Sequence, residues 1–348
     1  MKKTISRLFV WLLFLASLAG IAYLFYFFFS PDLISPNSSH SATLTPQTTP
    51  TISKLRSLDY NTAETLSLLD NIPKYLAYNQ ETGIVYSALS QTESFSPASF
   101  TKLLTTQVAL DLASPEQYLT ATIKSVDKVP TILGVSPGEQ LKVTDLIRAS
   151  VATSANDAAE TLAQGIASLY GLPSSDFILQ MNQKAQQLEM INSRFTNPDG
   201  LDDQNQYSTI EDIAKLVHNA QQNYPEILKA AISDNQDIEK NQYHKHYYLP
   251  NWNVLLDVYP GVTGLKIAYT EEAGYSTIVT AKRDGISIVV ILSGADSLIE
   301  RDLAAAALLD HAFTKENIVP AKITSSKIKA RYKIWADLAT KIRKASTN

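Results

Sequence analysis

The chain predicts an α+β fold: an antiparallel sheet with flanking helices and a helical insertion. Three observations carry this. KYLAYNQETGIVYSAL, 74–89, sets two runs of β-formers around a Glu-Thr-Gly turn and has the form of a hairpin. Strand-like runs return only late, as GLKIAYT, GYSTIVTAKRDG and ISIVVILSGA within 264–295, the last two pivoting at Asp284-Gly285. The text between is helical rather than alternating strand and helix, so βαβ units are not expected.

The elements follow in chain order. Leu8–Phe29 runs 22 residues without a charge, behind Lys2, Lys3 and Arg7. A bilayer core needs about 20 such residues as a helix. A cleaved leader has a shorter apolar region and a small-residue site, and the one weak site, Ser17 to Gly20, lies inside the run. Residues 1–29 are therefore expected to be an uncleaved single-pass membrane anchor. Its basic flank precedes the span, which places the rest of the chain outside the cytoplasm. In 30–57, 16 of 28 residues are Ser, Thr or Pro, too little apolar surface to offset ordering, so a linker is expected.

Residues 58–320 are expected to form the folded domain. Pro97, Ala98 and Ser99 open a helix. VTDLIRASVA is helical with Thr144 as N-cap, and NDAAETLAQGIASLYG is a second helix ending at Gly171. STIEDIAKLVHNAQQ has Ser208 and Glu211 at capping-box spacing, and ERDLAAAALLDHAF closes the domain. Residues 321–348 form a basic amphipathic helix. Lys327, Lys329, Arg331, Lys333, Lys341, Arg343 and Lys344 face one acid, Asp337, while Ile328, Tyr332, Trp335, Leu338 and Ile342 recur at helical spacing. Such a helix suits a membrane surface or docks on its own domain.

Composition removes several function classes. A net charge of −4 over 348 residues gives no case for nucleic acid. The absence of cysteine excludes disulfides, thiolate metal sites and a cysteine nucleophile. His244 and His246 have no acidic companion at helix spacing and read as surface residues. With no H-E-x-x-H, G-x-G-x-x-G or P-loop, neither a metal nor a nucleotide cofactor is expected.

The chemistry begins at SPASFTK, 96–102. Positions i and i+3 share a helix face, so Lys102 can reach the Ser99 hydroxyl and act as its base if burial or a nearby cation lowers its pKa. The helix start also offers the N–H of Ser99 to a developing oxyanion. Alone, this spacing equally describes helix punctuation. ATSANDAAE adds Ser154 and Asn156 between two helices, a hydroxyl to relay a proton and an amide to hold a carbonyl; both residues are also ordinary N-caps. GLKIAYTEEAGYS adds Lys266 on a strand, where its cation can meet a carboxylate and keep Lys102 unprotonated.

SPASFTKLLTT, SANDAA and GLKIAYTEEAGY, in this order, resemble the S-x-x-K, S-x-N and K-T-G boxes of serine-type D-Ala-D-Ala carboxypeptidases, the low-molecular-mass penicillin-binding proteins of peptidase family S11. YNQETGIVYSA, GVSPGEQLKVTDLIRASVATSANDAA and FTNPDGLDDQNQYSTIEDIAKL are similar to the connecting text, so the resemblance spans roughly 58–315. It implies the penicillin-binding protein/β-lactamase-like transpeptidase fold. It also implies Ser99 as acyl-ester nucleophile, Lys102 as general base, Ser154 and Asn156 in proton transfer and substrate holding, and Lys266 on the terminal carboxylate. The N–H of Tyr269 would be the second oxyanion donor. Peptidoglycan stem peptides are the implied substrate and β-lactams the implied acylating inhibitors.

The third box departs from the family: Ile267 and Ala268 stand where Thr and Gly are expected. Ile267 removes a hydroxyl from the carboxylate, a loss of about 1.5–3 kcal/mol, and Ala268 adds a methyl where backbone must approach. Thr270 is a candidate replacement. Other readings stay open: a non-catalytic peptidoglycan-binding protein on the same fold, a D,D-endopeptidase using the same residues, and a class A β-lactamase with Glu189 as deacylating carboxylate.

Overall fold

In the computed structural model, which describes Leu44 and residues 51–346, Lys74–Asn79 (β1) and Val85–Leu89 (β2) form the expected opening hairpin. The helical insertion carries two small ribbons, Tyr118–Thr120 (β3) with Gln140–Lys142 (β4), and Asn235–Ile238 (β5) with Tyr247–Pro250 (β6). Val262–Thr270 (β7), Gly274–Arg283 (β8) and Ile286–Ala295 (β9) then complete a five-stranded antiparallel sheet in the order β2-β1-β9-β8-β7. Asp284 and Gly285 turn β8 into β9 with φ of 48° and 84°, the twist a two-residue hairpin needs.

The sheet has a core on each face. Leu76, Tyr78, Val289 and Ile291 point into one core; Tyr75, Ala77, Val290 and Leu292 point into the other. A strand covered on both faces reads as a continuous apolar run rather than an alternating one, which is why ISIVVILSGA shows no polar face.

The first core is covered by the insertion: Thr101–Leu112 (α1), Val143–Arg148 (α2), Asn156–Leu169 (α3), Ser174–Gln187 (α4), Ile210–Asn223 (α5) and Pro225–Ile232 (α6). The second is covered by Leu298–Lys315 (α7) and Ser325–Ser346 (α8). α1 is buried almost all round, and several of its polar side chains find partners inside: Thr105 donates to the Pro198 carbonyl (2.6 Å) and Gln107 to that of Leu216 (3.0 Å).

Two caps differ from expectation. α2 starts at Val143 behind Lys142, with no side-chain cap, so Thr144 is a helical residue. Thr209, not Ser208, caps α5, its hydroxyl accepting from Asp212 N (3.2 Å). Ser208 is taken by an antiparallel bridge to Phe95, a tertiary contact that local spacing does not show.

The ends also sharpen. The predicted anchor at 1–29 lies outside the described residues. Among those described, no helix is long and apolar enough to cross a membrane. The end of the predicted linker is held on the domain, with Ser53 N donating to Asn219 Oδ1 (2.9 Å). α8 docks rather than standing free. Ile328 is buried, Trp335 meets Trp252 edge-on (5.6 Å), and Arg331 pairs with Asp234 and Asp257. The stripe expected to meet a membrane is thus occupied at Ile328, Tyr332 and Trp335. The side chains of Leu338 and Ile342 lie outside those described.

Candidate active site

Ser99 sits in a 3₁₀ turn, Ala98–Phe100, that runs into α1. Ala98 takes φ 45°, in the left-handed region disfavoured for a residue with a Cβ. The Asp199-Gly200 turn packs directly against it: a Cβ on Gly200 (φ +82°) would lie 1.9 Å from the Ala98 carbonyl oxygen and 3.1 Å from Ser99 N. Only glycine lets these two backbones meet.

One turn into α1, Lys102 is fully buried. Its Nζ lies 2.9 Å from Ser99 Oγ and 2.7 Å from Asn156 Oδ1, and it also bonds the Asp199 carbonyl. Burial is the main reason its pKa falls to about 8; Asp199 opposes the fall and Lys128 adds to it. Lys128 bridges Glu160 (2.9 Å) and the buried Asp199 (2.8 Å). The cation expected to keep Lys102 unprotonated was Lys266; Lys128 has that place. The repulsion between Lys102 and Lys266 acts instead on Lys266, whose pKa is well depressed by burial first and then by Lys102 and Arg301.

The second piece follows α2. Residues 149–153 widen into a π turn that ends on Ser154 at φ 63°, again left-handed and non-glycine. Ser154 Oγ accepts from Lys266 Nζ (2.7 Å), which also donates to the Ile267 carbonyl (2.9 Å). Asn156 is turned so that its Oδ1 faces Lys102 while its Nδ2 donates to the Val129 carbonyl (2.9 Å), leaving one amide hydrogen for another acceptor.

The third piece is β7, an edge strand whose outer amides have no partner strand among the described residues. Ile267, Ala268, Tyr269 and Thr270 border one pocket of about 130 Å³ with Ser99, Ser154 and Asn156. Lys102 and Lys266 reach it through their bonds to the two serines, so all nine expected residues converge. Ala268 is buried in the first core, so its methyl is absorbed by packing rather than thrust at the opening. Thr270 Oγ1 is used by the β7–β8 turn, accepting from Ala273 N (3.1 Å). Glu189 is surface-exposed, paired with Lys54, and does not border the pocket.

A larger cavity, about 390 Å³, lies between Leu68–Ile72 and the start of α7 and contains none of these groups. His244 is buried, bonded to Asn241 and its own loop, a structural rather than a surface residue.

A family model described as D-alanyl-D-alanine carboxypeptidase, peptidase S11, matches residues 71–297. The chain belongs to the S11 D-alanyl-D-alanine carboxypeptidase family. It is similar to the D-alanyl-D-alanine carboxypeptidase DacF of Bacillus subtilis, 29% identical over 73% of this chain and 67% of that protein. It is also similar to DacA of Haemophilus influenzae, 30% identical over 69% of this chain and 61% of that protein. The matches thus span about two thirds or less of these relatives' own lengths. The crystal structure of the Streptomyces K15 DD-transpeptidase shares the fold, with TM-score 0.66 and 23% identity over 73% of this chain and 99% of that one.

The structure brings the three boxes of the sequence resemblance together at one pocket. Missing from that resemblance are Asp199, Lys128 and Arg301. Asp199 and Gly200 lie in the FTNPDGL text, whose glycine is the one available signal. Lys128 carries none. Arg301 borders the pocket from α7, 1% exposed and near enough to Lys266 to depress its pKa. In sequence it is one half of an ordinary Arg-Asp pair.

Proposed function

We propose that this protein is a serine D-Ala-D-Ala carboxypeptidase that removes the terminal D-Ala from peptidoglycan stem peptides through an acyl-enzyme on Ser99. The observation that carries this is the set of partners around Lys102. A neutral amine has two N–H bonds and one lone pair. Asn156 Oδ1 and the Asp199 carbonyl are pure acceptors and take the two N–H bonds, so the lone pair faces the Ser99 hydroxyl.

In that state Lys102 accepts the Ser99 proton as Oγ attacks the carbonyl carbon of the penultimate D-Ala. The oxyanion forms beside the N–H groups of Ser99 and Tyr269. Collapse breaks the C–N bond, and the proton taken by Lys102 returns to the departing amine through the Ser154 hydroxyl. An ester remains on Ser99. Water then attacks it with Lys102 again as base, restoring the serine. Asn156 offers its free amide hydrogen to the substrate backbone.

Lys266 and Arg301 place positive charge beside Ile267–Thr270, where the terminal carboxylate binds. An arriving carboxylate favours the charged form of Lys266 and so offsets its burial. Arg301 supplies the donor that Ile267 lacks. β-Lactams, with an amide and a carboxylate in the same relation, acylate the same serine. Residues 1–29 anchor the chain in the cell membrane with the domain outside the cytoplasm, and 30–50 act as spacer. The exposed Lys327, Lys329 and Lys333 of α8 can meet an anionic surface.

The test is D-Ala release from a stem pentapeptide: the wild type releases it and Ser99→Ala does not. Equal release by both overturns the proposal. An endopeptidase would use the same residues; faster cleavage of cross-linked than of monomeric muropeptides selects it instead.

A further inference from the structure

We propose that Tyr332 is a positioning residue for Arg301, which makes the C-terminal helix a working part of the carboxylate subsite. This rests on the reading of Arg301 as a carboxylate donor given above. Three side chains close a ring behind the pocket. Arg301 Nε and Nη2 both donate to Asp302 Oδ1 (2.8 Å each), Nη2 also donates to Tyr332 Oη (2.9 Å), and the Tyr332 hydroxyl donates to Asp302 Oδ2 (2.7 Å). Arg301 and Asp302 are 1% and 2% exposed.

A guanidinium is a planar fork with five donors. The ring commits the Nε and Nη2 edge. Nη1 enters none of the described hydrogen bonds, and Arg301 borders the pocket. The fork's remaining edge is therefore the one left for an anion. Tyr332 also draws on the Asp302 charge through Oδ2. The carboxylate consequently neutralises less of the arginine than a free neighbour would, and the pocket keeps a cation.

Tyr332 itself is fixed from outside the site. Its ring packs edge-on to Trp335 (5.5 Å), which meets Trp252 and lies under Arg331 (5.1 Å); Arg331 in turn binds Asp257 (2.7 Å). Docking of α8 and aim of Arg301 are thus one mechanical unit. Without the hydroxyl, Asp302 Oδ2 and Arg301 Nη2 each lose a buried partner, and the guanidinium is free to swing into a two-pronged pair with Asp302, away from the pocket.

The experiment measures binding by calorimetry in the full chain carrying Ser99→Ala, so no turnover interferes. The probes are a stem-peptide mimic ending in D-Ala-D-Ala and its C-terminal methyl ester. Tyr332→Phe keeps the ring and its packing. It should weaken binding of the free acid by on the order of 5- to 10-fold and leave the ester within twofold. In an Arg301→Ala background, Tyr332→Phe should add nothing further. Unchanged affinity for the acid, an equal loss for acid and ester, or a full effect without Arg301 would each overturn the proposal. Because the readout is binding, it fails or succeeds independently of whether the wild type releases D-Ala.

Discussion

With both N–H bonds committed, Lys102 can take the Ser99 proton only when uncharged. Its pKa is lowered to about 8, so the working form dominates above that pH rather than only above the ordinary lysine value. Acylation, read as kcat/KM against pH, should rise about tenfold per unit up to about pH 8 and then level. Lys128 lowers the Lys102 pKa and also neutralises Asp199, which raises it. Both effects have one sign: Lys128→Met should move the rise to higher pH, and an unmoved profile contradicts this account of the base. Lys102→Arg, always charged, should lose about 10²–10⁴ in rate.

At the third box the buried methyl of Ala268 separates two changes that the sequence presents together. Ile267→Thr alone should raise β-lactam acylation by about 10-fold or more, while Ala268→Gly alone should do little. The reverse order of effects contradicts the packing seen here. The convergence of Ser99, Lys102, Ser154, Asn156 and Lys266 was legible because three short boxes in one order resemble a family, not because any one spacing sufficed. The Thr270 hydroxyl offered as a replacement is instead used by the β7–β8 turn. Lys128, Asp199 and Arg301 were not legible, because each enters the site through contacts with residues far away in the chain.

Among the elements, the close meeting of the Asp199-Gly200 turn with Ala98 controls where Ser99 stands. Gly200→Ala would put a methyl 1.9 Å from a backbone oxygen, at φ +82°. The expected outcome is a loss of about 2 kcal/mol or more, read as a lower Tm, together with slowed acylation, since the atoms displaced belong to the turn that carries Ser99, the proposed nucleophile. Retention of both contradicts it. The β7–β9 meander and its Asp284-Gly285 turn were legible from β-formers and turn chemistry alone. The helix expected to open at Pro97, Ala98 and Ser99 begins instead at Thr101, behind a 3₁₀ turn over Ala98–Phe100. The π turn before Ser154 and the shift of the α5 cap to Thr209 were not legible. Both lie against distant backbone, the π turn with the Ala152 carbonyl accepting from Trp252 N (3.3 Å) and Ser208 bridged to Phe95, and no local pattern reports that.

At the scale of the whole molecule, a sheet buried on both faces fixes the three boxes relative to one another. α1 and the Ser154 loop come from one layer, β7 from the sheet edge, and Arg301 from the layer behind. The α+β class was legible because the five strands of the main sheet are segregated from the helices along the chain; the two short ribbons inside the insertion were not foreseen. The docking of α8 was not, since a basic amphipathic helix has the same pattern whether its apolar face meets lipid or protein. The uncharged run Leu8–Phe29 leads to a separate expectation: the full chain should pellet with membranes and resist salt extraction, and a chain beginning at residue 51 should not. Equal partitioning of the two would remove the anchor from the account.

The central claim is that Ser99 forms the acyl-enzyme, and the adduct itself reports it most directly. The full chain is incubated with a labelled β-lactam, digested and mapped by mass spectrometry. One β-lactam mass on the peptide containing Ser99, absent from Ser99→Ala, is the predicted result. An adduct on another residue, or none in wild type while D-Ala is still released at an equal rate by Ser99→Ala, would contradict it.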